Sequence, residues 1–317
     1  MDKNSGSIKH FLLVFDHQKG ELIHEENFGT HGQRALDAYQ LMEMKHRHDL
    51  LIDIVLTLTH LLPGRLTLGG VLALLLQMSN YYNIFFGSLT QPAGTGALWS
   101  LAVEEHFYLV FPVACIILCR NVARPSARGI ILLSICAVIF LWRCVLVYKF
   151  HTQAERTYYA TDTRFDSILF GCALALWGNP ILDKSGPSER ASKYLWLPLG
   201  ITMLLCSFII RDPGFRETAR YTIQGVALVP IFIAAIRYPT WWPMRILNLR
   251  PIRFMGLISY TLYLVHFTIL LAPIPHLPEI PSLVRAALAL ALAILVATAM
   301  YYWVEKPCAT LRRRLSA

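Results

Sequence analysis

The chain has 317 residues, enough for one large domain or two small ones. Hydrophobic residues make up 55% and charged residues only 15%, with a mean hydropathy of +0.47. A soluble domain carries roughly 25% charge, so this composition excludes a soluble enzyme, a disordered chain and a secreted disulfide scaffold, and leaves a multi-span helical membrane protein.

The charge is unevenly spread. Positions 1–49 hold 6 Lys/Arg and 8 Asp/Glu, net −2, together with six of the eleven histidines, whereas the remainder is net +11. A short soluble segment is therefore predicted to precede a basic membrane body. The pI near 9.3 fits Lys/Arg-rich cytoplasmic loops and contact with anionic lipid rather than nucleic-acid binding.

The first apolar run, Phe11 to Phe15, is five residues long, too short for a signal peptide. Residues 8–15 read as a strand, His17 to Gly20 as a turn and Glu21 to His24 as a short return strand. Ala35, Leu36, Tyr39 and Met42 recur near helical spacing, and Leu50 to Leu56 fits a further strand. Residues 1–56 thus form a predicted small soluble α+β segment, marginal by itself. Its histidines, His10, His17, His24, His31, His46 and His48, match no compact metal-ligand spacing and read as surface residues.

Long apolar segments follow. Eight transmembrane helices are expected, near 66–86, 98–119, 129–148, 165–178, 194–210, 221–237, 256–271 and 282–304. The loop 120–128 carries Arg120, Arg124 and Arg128; the loop 237–254 carries Arg237, Arg245, Arg250 and Arg253; the tail carries Lys306 and Arg312 to Arg314. Placing these inside gives a cell-membrane protein with both termini cytoplasmic. The loop 211–220, with three Arg and two acids, fits that orientation less well. Cys115, Cys119, Cys136, Cys144, Cys172 and Cys206 lie in apolar stretches without a CxxC pair or a metal-ligand set, so they read as small buried hydrophobes.

Ionisable groups inside spans are functional candidates by default. Three places qualify. Trp99-Ser100-Leu101-Ala102-Val103-Glu104-Glu105-His106 puts two acids and a His in one spanning helix. Thr161-Asp162-Thr163-Arg164-Phe165-Asp166 opens the short span. Ser259, Tyr260, Tyr263 and His266 lie on one helix, with Ser259, Tyr263 and His266 on one face. All three places fall in the outer half of the membrane on the topology above. That predicts one polar cavity lined by Glu104, Glu105, Arg164, Asp166, Tyr263 and His266, suited to general acid–base work. His266, Glu104 and Glu105 are the expected catalytic groups; Trp99, Ser100, Arg164, Asp166, Tyr260 and Tyr263 are expected to contact substrate. The plain alternatives are ion pairing for the acids, interfacial anchoring for Arg164 and Asp166, an aromatic belt for the tyrosines and a structural donor for His266.

WSLAVEEHFYLVFP resembles the WSLxVEExFYLxFP signature of the acyltransferase 3 family of integral-membrane acyltransferases. TDTRFDSILFGCALAL is similar to that family's Arg-x-Asp span, ISYTLYLVHF to its ISYxxYLxHxP segment, YYWVEKP to its closing YxxxExP element and QMSNYYNIFFG to its LLQxxNY stretch. These run in order from about Leu56 to Leu315. The resemblance implies a helical bundle that moves an acyl group, often acetyl, from a cytoplasmic acyl-CoA to a hydroxyl of a carbohydrate, glycolipid or macrolide-type acceptor, without a metal. The donor would draw on basic loop residues such as Arg245, Arg250 and Arg253. The family's opening helix, with an Arg and a His eleven residues later, has no counterpart in positions 1–56, where position 6 is Gly6. The expected organisation is therefore 1–56 as a segment unrelated to the family and 57–317 as the acyltransferase-like membrane domain, standing without the family's first two helices. On that departure two rivals stay open: a non-enzymatic membrane carrier and a degenerate, inactive fragment.

Overall fold

The computed structural model describes residues 67–87, 90–92, 94–181, 186–271, 281–307 and 310. The predicted α+β segment 1–56 lies outside the described residues, as does most of the loop after residue 271. Every regular element among the described residues is helical.

In chain order the helices are α1 (Leu68–Leu75), α2 (Ser79–Phe86), α3 (Thr95–Asn121), α4 (Pro125–Lys149), α5 (Ala154–Tyr159), α6 (Phe165–Trp177), α7 (Glu189–Ile209), α8 (Pro213–Glu217), α9 (Ala219–Arg237), α10 (Trp242–Leu247), α11 (Arg250–Leu271) and α12 (Ser282–Glu305). Six of these, α3, α4, α7, α9, α11 and α12, are long and apolar enough to cross a membrane. No more than a third of the most apolar stretch of any of them is buried within the chain. Their outward faces carry Leu109, Val113, Val138, Leu205, Phe232, Leu290 and Leu295, all exposed. Such a surface is stable only against hydrocarbon, and it makes this a multi-pass membrane protein.

Two of the eight expected spans take another form. The segment 66–86 is broken into α1 and α2, each eight residues and so about 12 Å long, well short of the ~30 Å hydrocarbon core. The break falls at Leu76–Met78, where Gln77 turns left-handed (φ 56°) and the Met78 N–H reaches back to the Ala73 carbonyl at 2.7 Å. Gln77, Ser79 and Asn80 make a short polar stretch there, but apolar runs on both sides let the segment read as one span. The other short span, α6, keeps its expected place but has only 13 residues.

The described residues form two compact units, with α3 contributing to both. In the unit Val103–Ile252, α6 packs on α4 and α9, and α9 packs on α7. Small residues set these approaches. A side chain at Gly225 would run into the Phe170 ring, and one at Gly200 would meet the Ala227 carbonyl at 2.7 Å. Close backbone contact is how membrane helices gain dispersion energy where water is absent. The largest core joins Phe107, Phe111, Cys115 and Cys119 of α3 to Leu132 and Cys136 of α4 and Leu169, Phe170 and Ala173 of α6. Cys115, Cys119 and Cys136 are thus buried packing groups as expected; Cys144 and Cys172 are half-buried and Cys206 is exposed. In the other unit, Leu74, Leu98, Leu101 and Leu264 form one core and Ile269, Ala289 and Ala293 another.

Candidate active site

The candidate residues divide between the units. Trp99, Ser100, Tyr260, Tyr263 and His266 belong to one; Glu104, Glu105, Arg164 and Asp166 belong to the other.

In the first, Gly94 begins the approach to α3 in a left-handed conformation (φ 92°), and Gly96 has the Phe267 ring where a side chain would stand. This lets the start of α3 lie close to α11. Trp99 is buried, and Tyr260 packs on the core of Leu74, Leu98, Leu101 and Leu264. The Ser100 and Tyr263 hydroxyls are 2.6 Å apart, and both lie within donating distance of the Ala97 carbonyl, at 3.2 and 2.9 Å. Two protons serve these three oxygens, so one hydroxyl donates to Ala97 and the other to its neighbour. Lower in α11, Thr261 is hydrogen-bonded to the Glu305 carboxylate of α12. Ser259 was expected to share a face with Tyr263 and His266; its hydroxyl returns to the Gly256 carbonyl of its own helix at 2.8 Å.

His266 is half-buried beside the Tyr263 and Phe267 rings. Its Nδ1 lies 2.5 Å from the Tyr263 carbonyl. A carbonyl only accepts, so Nδ1 carries the proton, and Nε2 of the neutral ring presents its lone pair. The imidazole is thereby fixed in the tautomer that can take a proton through Nε2.

The second unit holds a buried polar network. Asp166, at the start of α6, is fully buried, as is Arg143 of α4. Arg143 grips the carboxylate with both Nη atoms, at 2.8 and 2.6 Å, and donates also to the Thr163 carbonyl (2.6 Å) and the Thr222 hydroxyl of α9 (2.5 Å). Arg164 stands 4.0 Å from the centre of the Tyr221 ring, with Tyr158 at 5.5 Å. Burial holds its guanidinium below the ordinary arginine pKa, and the charge is met by the two phenol rings. Asp162 takes a bidentate pair from Arg156 (2.9 and 2.6 Å) and a bond from Trp142 Nε1 at 2.7 Å. Burial works to raise its carboxyl, but those donors outweigh it and hold the pKa below the usual value.

Glu104 and Glu105 lie half-buried on α3. His106, next to them, is within 2.8 Å of the Thr161 hydroxyl through Nδ1 and so ties α3 to the start of α6. In the loop 211–220, the poor fit to the charge rule, three of the five charged side chains have structural partners while Arg211 and Arg216 stand exposed. Asp212 caps α8 through the Phe215 N–H, Glu217 accepts from Thr157, and Arg220 bonds the Tyr221 hydroxyl and stacks on its ring.

Arg143, Tyr221 and Thr222 were not expected. Arg143 had a signal, being the one charged residue in the span 129–148. Tyr221 and Thr222 had none, since each is ordinary at a helix start. Among the described residues no group of His, Cys, Asp and Glu could hold a metal ion.

The profile of the acyltransferase domain family matches residues 54–302. The chain belongs to the acyltransferase 3 family. It is 32% identical to the peptidoglycan O-acetyltransferase OatA of Listeria monocytogenes over 75% of this chain and 40% of that one. It is 30% identical to a provisionally named peptidoglycan O-acetyltransferase, YrhL, of Bacillus subtilis, over 76% of this chain and 40% of that one. A provisionally named O-acetyltransferase of Staphylococcus aureus is 33% identical over 55% and 29% of the two chains. The chain therefore spans about 40% of the length of the first two curated relatives. No solved structure matches it.

Proposed function

We propose that this acyltransferase 3 chain transfers an acyl group, in the first instance acetyl, from acyl-CoA to a hydroxyl of a carbohydrate acceptor. The family match across residues 54–302 carries the reaction class, and the names of the relatives favour O-acetylation of peptidoglycan. In this proposal residues 57–317 are the transferring domain, and both termini face the cytoplasm.

His266 is the proposed base. Its Nδ1–H is committed to the Tyr263 carbonyl, so Nε2 takes the acceptor proton as the hydroxyl oxygen attacks the acyl carbonyl. The carbon–sulfur bond then breaks, and the imidazolium returns the proton to the departing thiolate. Trp99, Ser100, Tyr260 and Tyr263 are proposed to shape the acceptor's approach to His266, all five lying in one unit. Glu104, Glu105, Arg164 and Asp166 enter the proposal on their chemistry alone, the two glutamates as orienting carboxylates.

The test follows labelled acetyl transfer from acetyl-CoA to a glycan acceptor in proteoliposomes. His266→Ala is expected to lower the initial rate about 10²–10⁴-fold, and Glu104→Gln and Glu105→Gln less. An unchanged rate in His266→Ala removes it as the base.

A further inference from the structure

A proton count fixes what two hydroxyls in the His266 unit can offer. Ser100 stands near the start of α3 and Tyr263 on α11, and their oxygens are 2.6 Å apart. Each also lies within donating distance of the Ala97 carbonyl, at 3.2 and 2.9 Å. A carbonyl brings no proton, so the three oxygens share two. Two bare lone pairs would repel at 2.6 Å, so one proton lies between the hydroxyls and the other goes to Ala97. That leaves two arrangements. Either Tyr263 donates to Ala97 and Ser100 to Tyr263, or Ser100 donates to Ala97 and Tyr263 to Ser100. In both, neither hydroxyl has a proton left to give. In both, Ser100 Oγ keeps at least one lone pair.

His266 has the same polarity. Its Nδ1–H is committed to the Tyr263 carbonyl, and Nε2 presents a lone pair. Tyr263 and His266 stand about one turn apart on α11, with ring centres 5.5 Å apart. Ser100 and His266 are half-buried, Tyr263 is 36% exposed, and the contact between the two hydroxyls is itself exposed. An anionic group brought here would meet lone pairs only. A neutral ring that carries its reacting hydroxyl and a second donor suits both ends, with one proton toward Nε2 and the other toward Ser100.

We propose that the Ser100–Tyr263 pair reads a second hydrogen-bond donor on the acceptor, an O–H or an amide N–H on the same sugar ring as the hydroxyl that His266 deprotonates. The proposal rests on the acyl-transfer reading for the role of His266. It adds that the acceptor is neutral at this point and that a ring with a single hydroxyl is a poor acceptor. A site built to bond a polar group rejects the analogue that lacks it, because its own lone pair is then left facing apolar atoms.

Three probes test this. The first is methyl glucoside. The second has every ring hydroxyl replaced by hydrogen and keeps only the primary hydroxyl. The third is the second with one acetamido group added, so that it carries a single amide N–H. Dissociation constants are read by saturation-transfer NMR on the full chain in mild detergent, and transfer of labelled acetyl to the primary hydroxyl is read in proteoliposomes. The parent should bind the first and third probes about two- to tenfold more tightly than the second, the worth of one hydrogen bond. KM for transfer should follow that order while kcat stays nearly level. The preference should vanish in Ser100→Ala/Tyr263→Phe and survive in Ser100→Thr, which keeps the oxygen. A preference confined to methyl glucoside assigns the donor to an O–H, and one confined to the acetamido probe assigns it to an N–H; either supports the proposal. Equal binding of all three probes overturns it, as does a preference that persists in the double variant. Preferential binding without transfer refutes the acyl-transfer reading and keeps the donor recognition. Transfer with equal kcat/KM for the three probes does the reverse.

Discussion

Removing one partner of the Arg143–Asp166 pair should destabilise the helix bundle more than any other single side-chain change among the described residues. Both side chains have zero exposure, and Arg143 donates four hydrogen bonds, to Asp166 twice, Thr163 and Thr222. Hydrogen bonds between membrane helices average about 0.6 kcal/mol each, so the four set a floor of about 2 kcal/mol. The carboxylate left behind adds the penalty of an uncompensated buried charge, which brings the expected loss in Arg143→Met to about 3–5 kcal/mol. At 2–4 °C per kcal/mol for a unit of 150–250 residues, thermal unfolding in mild detergent should drop by roughly 6–20 °C. The double variant Arg143→Met/Asp166→Leu should recover most of that loss, since replacing both partners removes the charge along with the bonds. Arg143→Met melting with the parent refutes the reasoning. So does a double variant no more stable than the single one, because the penalty would then not be electrostatic.

Further outcomes follow from other contacts. Asp162 has a depressed pKa when folded, so its pair with Arg156 stabilises the protein above the unfolded carboxyl value of about 3.9 and loses that contribution as pH falls through the lower folded value. The stability difference between the parent and Asp162→Asn should be constant above about pH 5 and shrink below about pH 4. It should stay under about 1 kcal/mol, because both side chains are partly exposed; a gap that widens in acid contradicts the assignment. Tyr263→Phe removes the hydroxyl shared with Ser100 and Ala97 and should cost about 1 kcal/mol in unfolding. A double-mutant cycle with Ser100→Ala should show a coupling of at least about 0.5 kcal/mol, and strict additivity would dissolve the pair.

Much of this was legible in the amino-acid order. Six spans stand close to where hydropathy puts them, because helix formation in hydrocarbon depends on the local run of apolar side chains and on little else. Resemblance in five short motifs pointed to the acyltransferase 3 family, and the family match bears it out. The break at Gln77 was not legible. No Gly or Pro marks it, and the left-handed turn is fixed by backbone bonds, the Gln77 amide to Leu74 and the Met78 amide to Ala73.

Composition and periodicity, then, determined the membrane class and the places of the long helices. Only the tertiary structure decided the pairings. Arg143 was readable as a lone charge in a span, yet two acids, Asp162 and Asp166, lay within four residues of each other as candidate partners. Which one it takes depends on the face that α6 turns toward α4. That face is set by Gly225 against Phe170 and Thr222 against Asp166, contacts more than fifty residues apart in the chain. Hydropathy is a property of neighbours in sequence; partnership is a property of neighbours in space.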